Sequence, residues 1–151
     1  MLRFRSLLPL ILALVATFLV SCGGPSAKIP TTYSPEKIQA IQAFAAPVEA
    51  ARERMSELQS YIQAENWVET GSLIHGPLGS LRRDIRYLAE ELLPKDQKQA
   101  KTLAQELFQD LEQIDTAAKA RNYGEAVSRY RNAINDFDAF LDLIPKSGET
   151  T

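Results

Sequence analysis

Apolar residues recur along most of this chain at alternating steps of three and four. The densest case is Ile74, Leu78, Leu81, Ile85, Leu88 and Leu92, a spacing that stacks side chains on one stripe of an α-helix. Arg82, Arg83, Asp84, Arg86, Glu90 and Glu91 stand between them and are turned outward as a charged face. Leu93-Pro94 stops this helix, because the residue before a proline is pushed out of the α region. Pro94 suits the first turn of the next helix, where Asp96 favours the positive end of the helix dipole.

The same period organises the rest. A first helix is predicted from Pro35 to about Ala64, with Ser34 as N-cap and Pro35 at the first helical position. Its stripe is Ile38, Ile41, Ala45, Val48, Met55, Leu58 and Ile62, and Pro47 predicts a kink or break near Phe44. Asn66 caps a second helix opening at Trp67. Gly71, Gly76, Pro77 and Gly79 weaken its front half, each glycine costing roughly 1 kcal/mol against alanine, so an irregularity is predicted around Gly76-Pro77 and a regular helix from Leu78 to Leu92. The third helix spans about Lys95 to Ala120 with Leu103, Leu107, Leu111 and Ile114 as its stripe and Phe108 beside it. After a turn at Arg121-Asn122, the fourth spans about Tyr123 to Leu143, its stripe being Tyr123, Val127, Tyr130, Ile134, Phe137, Leu141 and Ile144. Pro145 ends it. No alternating β-branched run competes. Four amphipathic helices on short connections predict an all-α, up-down-up-down four-helix bundle over residues 35–145, with a polar tail at 146–151.

The front of the chain reads as an address label. Arg3 and Arg5 precede an apolar run from Leu7 to Val20, the layout of a bacterial secretory signal, and that run is too short for a comfortable membrane span. Leu19-Val20-Ser21-Cys22 resembles a lipobox, after which Cys22 is acylated and residues 1–21 are removed. The other reading is an ordinary signal with an accidental cysteine. Cys22 is the chain's one cysteine, so no internal disulfide can form and the fold must stand on packing. Acyl chains on Cys22 would hold the protein on a membrane without a spanning helix. Residues 22–34 complete this front section, and Gly23 to Ser34 has linker composition. Those 12 residues reach roughly 40 Å when stretched.

Charge and candidate chemistry narrow the function. Loss of Arg3 and Arg5 with the signal lowers 17 basic residues to 15 against 19 acidic, a balance of −4. This mildly acidic chain lacks the basic stripe of a nucleic-acid binder. One histidine, His75, and no cysteine beyond Cys22 leave no Cys/His cluster and no Ser-His-Asp set, although Ser72 and His75 stand three apart. Glu-x-x-His pairs of di-iron bundles, Walker loops and dinucleotide fingerprints are missing from the sequence. We therefore expect no enzyme, no cofactor and no small-molecule substrate. Asp138 and Asp142, with Asp136 nearby, form an acidic edge that could collect a divalent cation, and His75 is a second weak metal candidate; a solvated helix face accounts for them equally. Trp67, Tyr61, Tyr87, Tyr123 and Tyr130 read as core and rim packing. Arg82, Arg83 and Arg86 are either a wet face with local ion pairs or a protein-docking patch, since arginine forks match carboxylates. Lys95, Asp96, Lys98 and Lys101 extend the same edge.

The run HGPLGSLRRDIRYL, then LLPKDQ, LAQELFQDLEQID and DFDAFLDLIP, resembles the PsbQ family, in the lipoprotein form found in cyanobacteria. The likeness extends from about Pro35 to Pro145. It implies a non-catalytic extrinsic subunit of photosystem II, held by its lipid on the lumenal side of the thylakoid membrane and touching the photosystem core and other lumenal extrinsic subunits. It further implies a role in stabilising the oxygen-evolving complex and the assembled state, with calcium and chloride retained indirectly. A lipobox stands where plant members carry a transit peptide, and their long proline-rich arm is missing here, so contacts made through that arm do not transfer. Two alternatives remain open: a periplasmic lipoprotein adaptor or assembly factor for another membrane complex, and a metal-binding helical bundle.

Overall fold

Ser34 opens the first helix as the sequence leads one to expect, its hydroxyl accepting the Lys37 N–H at 3.2 Å ahead of Pro35. The computed structural model describes residues 31–146; the signal peptide, Cys22, most of the linker and all of the tail but Lys146 lie outside them. Five helices follow one another there: α1 (Pro35–Gln63), α2 (Trp67–His75), α3 (Leu81–Glu91), α4 (Pro94–Lys119) and α5 (Tyr123–Leu141). No strand occurs among the described residues, and none of their helices is long and apolar enough to cross a membrane.

All seven stripe residues expected of α1 are buried, from Ile38 to Ile62. The break expected near Phe44 does not interrupt the helix, which is continuous across Pro47. Pro47 and Ala43, whose carbonyl loses its partner, both lie on the exposed side, where water replaces the missing backbone bond. The irregularity expected at Gly76-Pro77 is real and divides the second leg into α2 and α3. Leu78 N–H reaches back to Leu73 O and Gly79 N–H to Gly76 O. A Cβ at Gly76 would stand 2.8 Å from Ser72 O, and one at Gly79 would stand 2.7 Å from His75 O. Only a residue without a side chain fits either place.

The legs form an antiparallel ring in the order α1, α2 with α3, α4, α5 and back to α1, the up-down-up-down bundle. The closest pairing is the α4–α5 hairpin, and here the sequence reading needs correction. The buried face of α5 is Ala126, Tyr130, Ala133, Phe137 and Phe140, while Val127, Ile134 and Leu141 lie half-buried at its edge and Tyr123 is 44% exposed. On α4, Ala100, Ala104, Ala117 and Ala118 are buried, and Leu103 is only half-buried. The buried faces of both helices thus include small residues that the periodic reading passed over, and part of the bulky ones lie at the edge. The aromatic reading holds for Tyr130 in the core and for Tyr61 and Trp67 at its rim, but Tyr87 is 42% exposed.

Two of the corners are built alike. At each, the chain leaves a helix through a residue with positive φ, Glu65 (52°) or Arg121 (53°). The next residue, Asn66 or Asn122, bonds backward through its N–H to Tyr61 O or Ala117 O and caps the following helix by accepting from Glu69 N–H or Glu125 N–H. This is the Schellman closure, with the usual glycine replaced by a charged residue. The left-handed region disfavours side chains carrying a Cβ. We expect Arg121→Gly to stabilise the protein by roughly 0.5–1 kcal/mol and Arg121→Val to destabilise it, measured as opposite shifts of the urea unfolding midpoint.

Candidate docking surface

The α3–α4 corner is fixed from both sides. Pro94 starts α4 directly after Leu93, and the Gln97 side-chain amide donates to Glu90 O at 3.1 Å and Leu92 O at 2.9 Å, tying off carbonyls at the end of α3. Tyr33, which composition assigns to the linker, belongs to this corner. Its hydroxyl accepts the Leu93 N–H at 3.0 Å and donates to Asp96 Oδ2 at 2.9 Å. Burial pushes its pKa up to about 12; the Leu93 N–H opposes the rise, and the bond to Asp96 adds to it. Lys37 pairs with Glu91 nearby, and Gln42 Nε2 donates to Pro145 O at 2.7 Å. The start of α1, the α3–α4 corner and the end of α5 are thus gathered at one end of the bundle, and the chain toward Cys22 leaves from there.

The expected patch is divided by the fold. Arg82 and Arg86 stand on the side of α3 that faces α4, where Lys101 lines the same groove. Arg82 lies over the Phe108 ring, 4.3 Å from guanidinium carbon to centroid, and donates to Glu112 at 2.8 Å. Arg86 stacks on Tyr87 at 5.0 Å. Arg83 is turned to its neighbour Asp84, with Nε 3.0 Å from Oδ1. Lys95 and Lys98 are exposed on the first turns of α4. Asp96 is half-buried and already holds Tyr33, so it is a structural member of the corner.

The acidic edge does not assemble as the spacing suggested. Asp138 faces α1 and receives a two-pronged bond from Arg52, at 2.7 and 2.9 Å. Those bonds hold its carboxyl below the usual range, against the effect of burial. Asp136 lies on another side of α5, where burial and then the charges of Glu106 and Asp110 raise its pKa. Asp142 is exposed at the end of α5. Among the described residues no three His, Cys, Asp or Glu side chains are grouped to hold a metal ion. His75 Nε2 lies 3.1 Å from Asp115 Oδ1, and Lys119 donates to the other oxygen at 2.6 Å; Ser72, its expected neighbour, serves through its carbonyl, which accepts the Gly76 N–H. Beside this pair lies a cleft of about 450 Å³ between the α2–α3 turn and α4. Burial works against ionised Asp115, but the bonds from Lys119 and His75 prevail and hold its pKa low.

Asp115, the place of Phe108 under Arg82, and Tyr33 escaped the sequence reading. The first two look like routine surface and stripe positions of a long helix, and Tyr33 precedes any periodic segment. The one available signal was i,i+4 spacing between Asp115 and Lys119.

The fold defines a class, the antiparallel helical bundles whose apolar stripes fill one shared core and whose charges lie mostly on the outer faces and corners. Within that class, this chain belongs to the PsbQ family: the family model, described as oxygen evolving enhancer protein 3, matches residues 3–145. The protein CyanoQ of Synechocystis sp. is 56% identical over 146 residues, which cover 96% of this chain and 98% of that protein.

Two titrations check the geometry. Tyr33 has a raised folded-state pKa, so its contribution is complete below its unfolded value of about 10 and lost as the pH rises toward about 12. Tyr33→Phe is expected to cost roughly 1–2 kcal/mol at neutral pH and to flatten the alkaline decline in melting temperature. Asp115 has a lowered folded-state pKa, so its contribution is complete above about pH 4 and lost as the pH falls through the folded value. Asp115→Asn is expected to melt below wild type at pH 7, with the gap closing in acid.

Proposed function

We propose that this protein is a lipid-anchored extrinsic subunit of photosystem II on the lumenal side of the thylakoid membrane, where it stabilises the oxygen-evolving complex and the assembled state by binding. The near full-length identity with CyanoQ carries this reading. Its partners are the photosystem core and other lumenal extrinsic subunits. In this view Cys22 bears the lipid, and Tyr33, near the end of the stretch that composition assigns to the linker, is already bonded to the bundle. The bundle then hangs by its α3–α4 end. Contact is made through the cationic edge of Arg82, Arg83, Arg86, Lys95, Lys98 and Lys101, whose arginines offer forked donors to partner carboxylates. Stabilisation needs only that the subunit bind the assembled complex more tightly than its separated parts. The bundle contributes binding free energy and no ligand to the reacting centre.

Isolation of the tagged, full-length protein from cyanobacterial thylakoids is expected to enrich photosystem II subunits; recovery of envelope partners alone overturns the proposal. Cys22→Ser protein is expected to move from the detergent phase to the aqueous phase on phase partition, and an intact wild-type mass without a lipid increment overturns the anchor.

A further inference from the structure

The α3–α4 interface is not filled along its outer length. Ala89 on α3 and Ala104 on α4 are buried where larger side chains would close the seam, and with Ile85 and Phe108 they floor an apolar groove of about 240 Å³. That volume falls below the roughly 300–1,000 Å³ of small-molecule pockets. It suits one or two apolar side chains entering from outside. The rim is cationic: Arg82 and Arg86 stand on one side and Lys101 on the other, with Gln105 the remaining polar lining residue and no carboxylate among the groove's residues. Lys98 is exposed one turn before Lys101. This concentration runs against a chain whose formal charge is −2.

The rim is also prepared for binding. Arg82 is held over Phe108 and by Glu112, and Arg86 over Tyr87, so less side-chain freedom is lost when their remaining donors engage a partner. Among the described residues, Arg86 and Lys101 make no ion pair. The geometry points to this groove as the docking site for an acidic amphipathic segment of a protein partner, one that places an apolar side chain on the alanine floor and carboxylates against Arg82, Arg86 and Lys101. A flat lipid surface meets the cations but does not reach a floor set between two helices. This inference rests on the proposal that the protein binds photosystem II, and within the cationic edge named there it places the apolar anchor of the contact in the groove.

The test is retention of full-length, acylated protein on photosystem II isolated from cells that lack it. Two exposed-site variants address the groove: Gln105→Trp, which plugs it, and the pair Arg86→Glu with Lys101→Glu, which reverses its rim. Arg131→Glu, on the exposed face between α1 and α5, serves as the control. Both groove variants are expected to bind about ten-fold more weakly or worse, and the control within about two-fold of wild type. Wild-type helicity and melting temperature in each variant show that the fold survives, and Lys101→Glu alone provides a milder change should the pair unfold. Wild-type protein that fails to bind overturns the photosystem reading itself. Wild-type binding that both groove variants retain overturns the groove alone. Vesicles containing phosphatidylglycerol separate the remaining occupant: variants that lose vesicle binding yet keep the complex assign the groove to lipid and overturn the protein segment.

Discussion

One apolar seam holds this protein together. With a single cysteine, no cross-link can form within the chain, and the described helices depend on burying Ile41, Met55, Leu58, Ile85, Leu107, Ile114, Phe137 and Phe140 against one another. Burial of this kind is proportional to area and indifferent to direction. It sets which stripe of each helix faces inward and leaves the opposite faces free to differ in charge. The sorting of most arginines, lysines and carboxylates on the exterior is therefore a layer added over that core, while Asp110 and Asp115 are buried beneath it.

The corners convert that seam into one particular arrangement. Apolar stripes alone would let a helix shift along its neighbour by a turn at modest cost. Position is fixed where directional bonds are made: the two Schellman closures at Glu65 and Arg121, the glycine-dependent bend between α2 and α3, and the clasp of Tyr33 on Leu93 and Asp96. The last of these ties the residue just ahead of α1 to a corner far along the chain.

Charge at the surface is mostly paired locally, and such pairs add little stability where water reaches them. Arg52 with Asp138 and Arg82 with Glu112 are better understood as fixing where a side chain stands. The pairing of Asp138 also removes it from the acidic edge that sequence spacing suggested. Asp136 and Asp138 are two residues apart and so lie on different sides of α5, facing α4 and α1 respectively.

The sequence by itself determined that residues 35–145 are helical, where most of the helices start and stop to within a few residues, and which face of α1 and α3 is buried, because leucine and isoleucine periodicity, proline stops and asparagine caps are local causes with local effects. It also placed the bend at Gly76-Pro77, and the ordered run from HGPLGSLRRDIRYL onward carried the family resemblance. Only the tertiary structure decided which side of α4 and α5 meets the other. An alanine carries almost no signal in a periodic pattern, yet Ala126 and Ala133 are buried while Tyr123 is exposed. It likewise decided that Tyr33 joins a corner across 63 positions of sequence, that His75 meets Asp115, and that Arg82, Arg86 and Lys101 surround one groove while Arg83 turns away. Each of these depends on the angle at which two helices are brought together, a quantity that no single helix encodes.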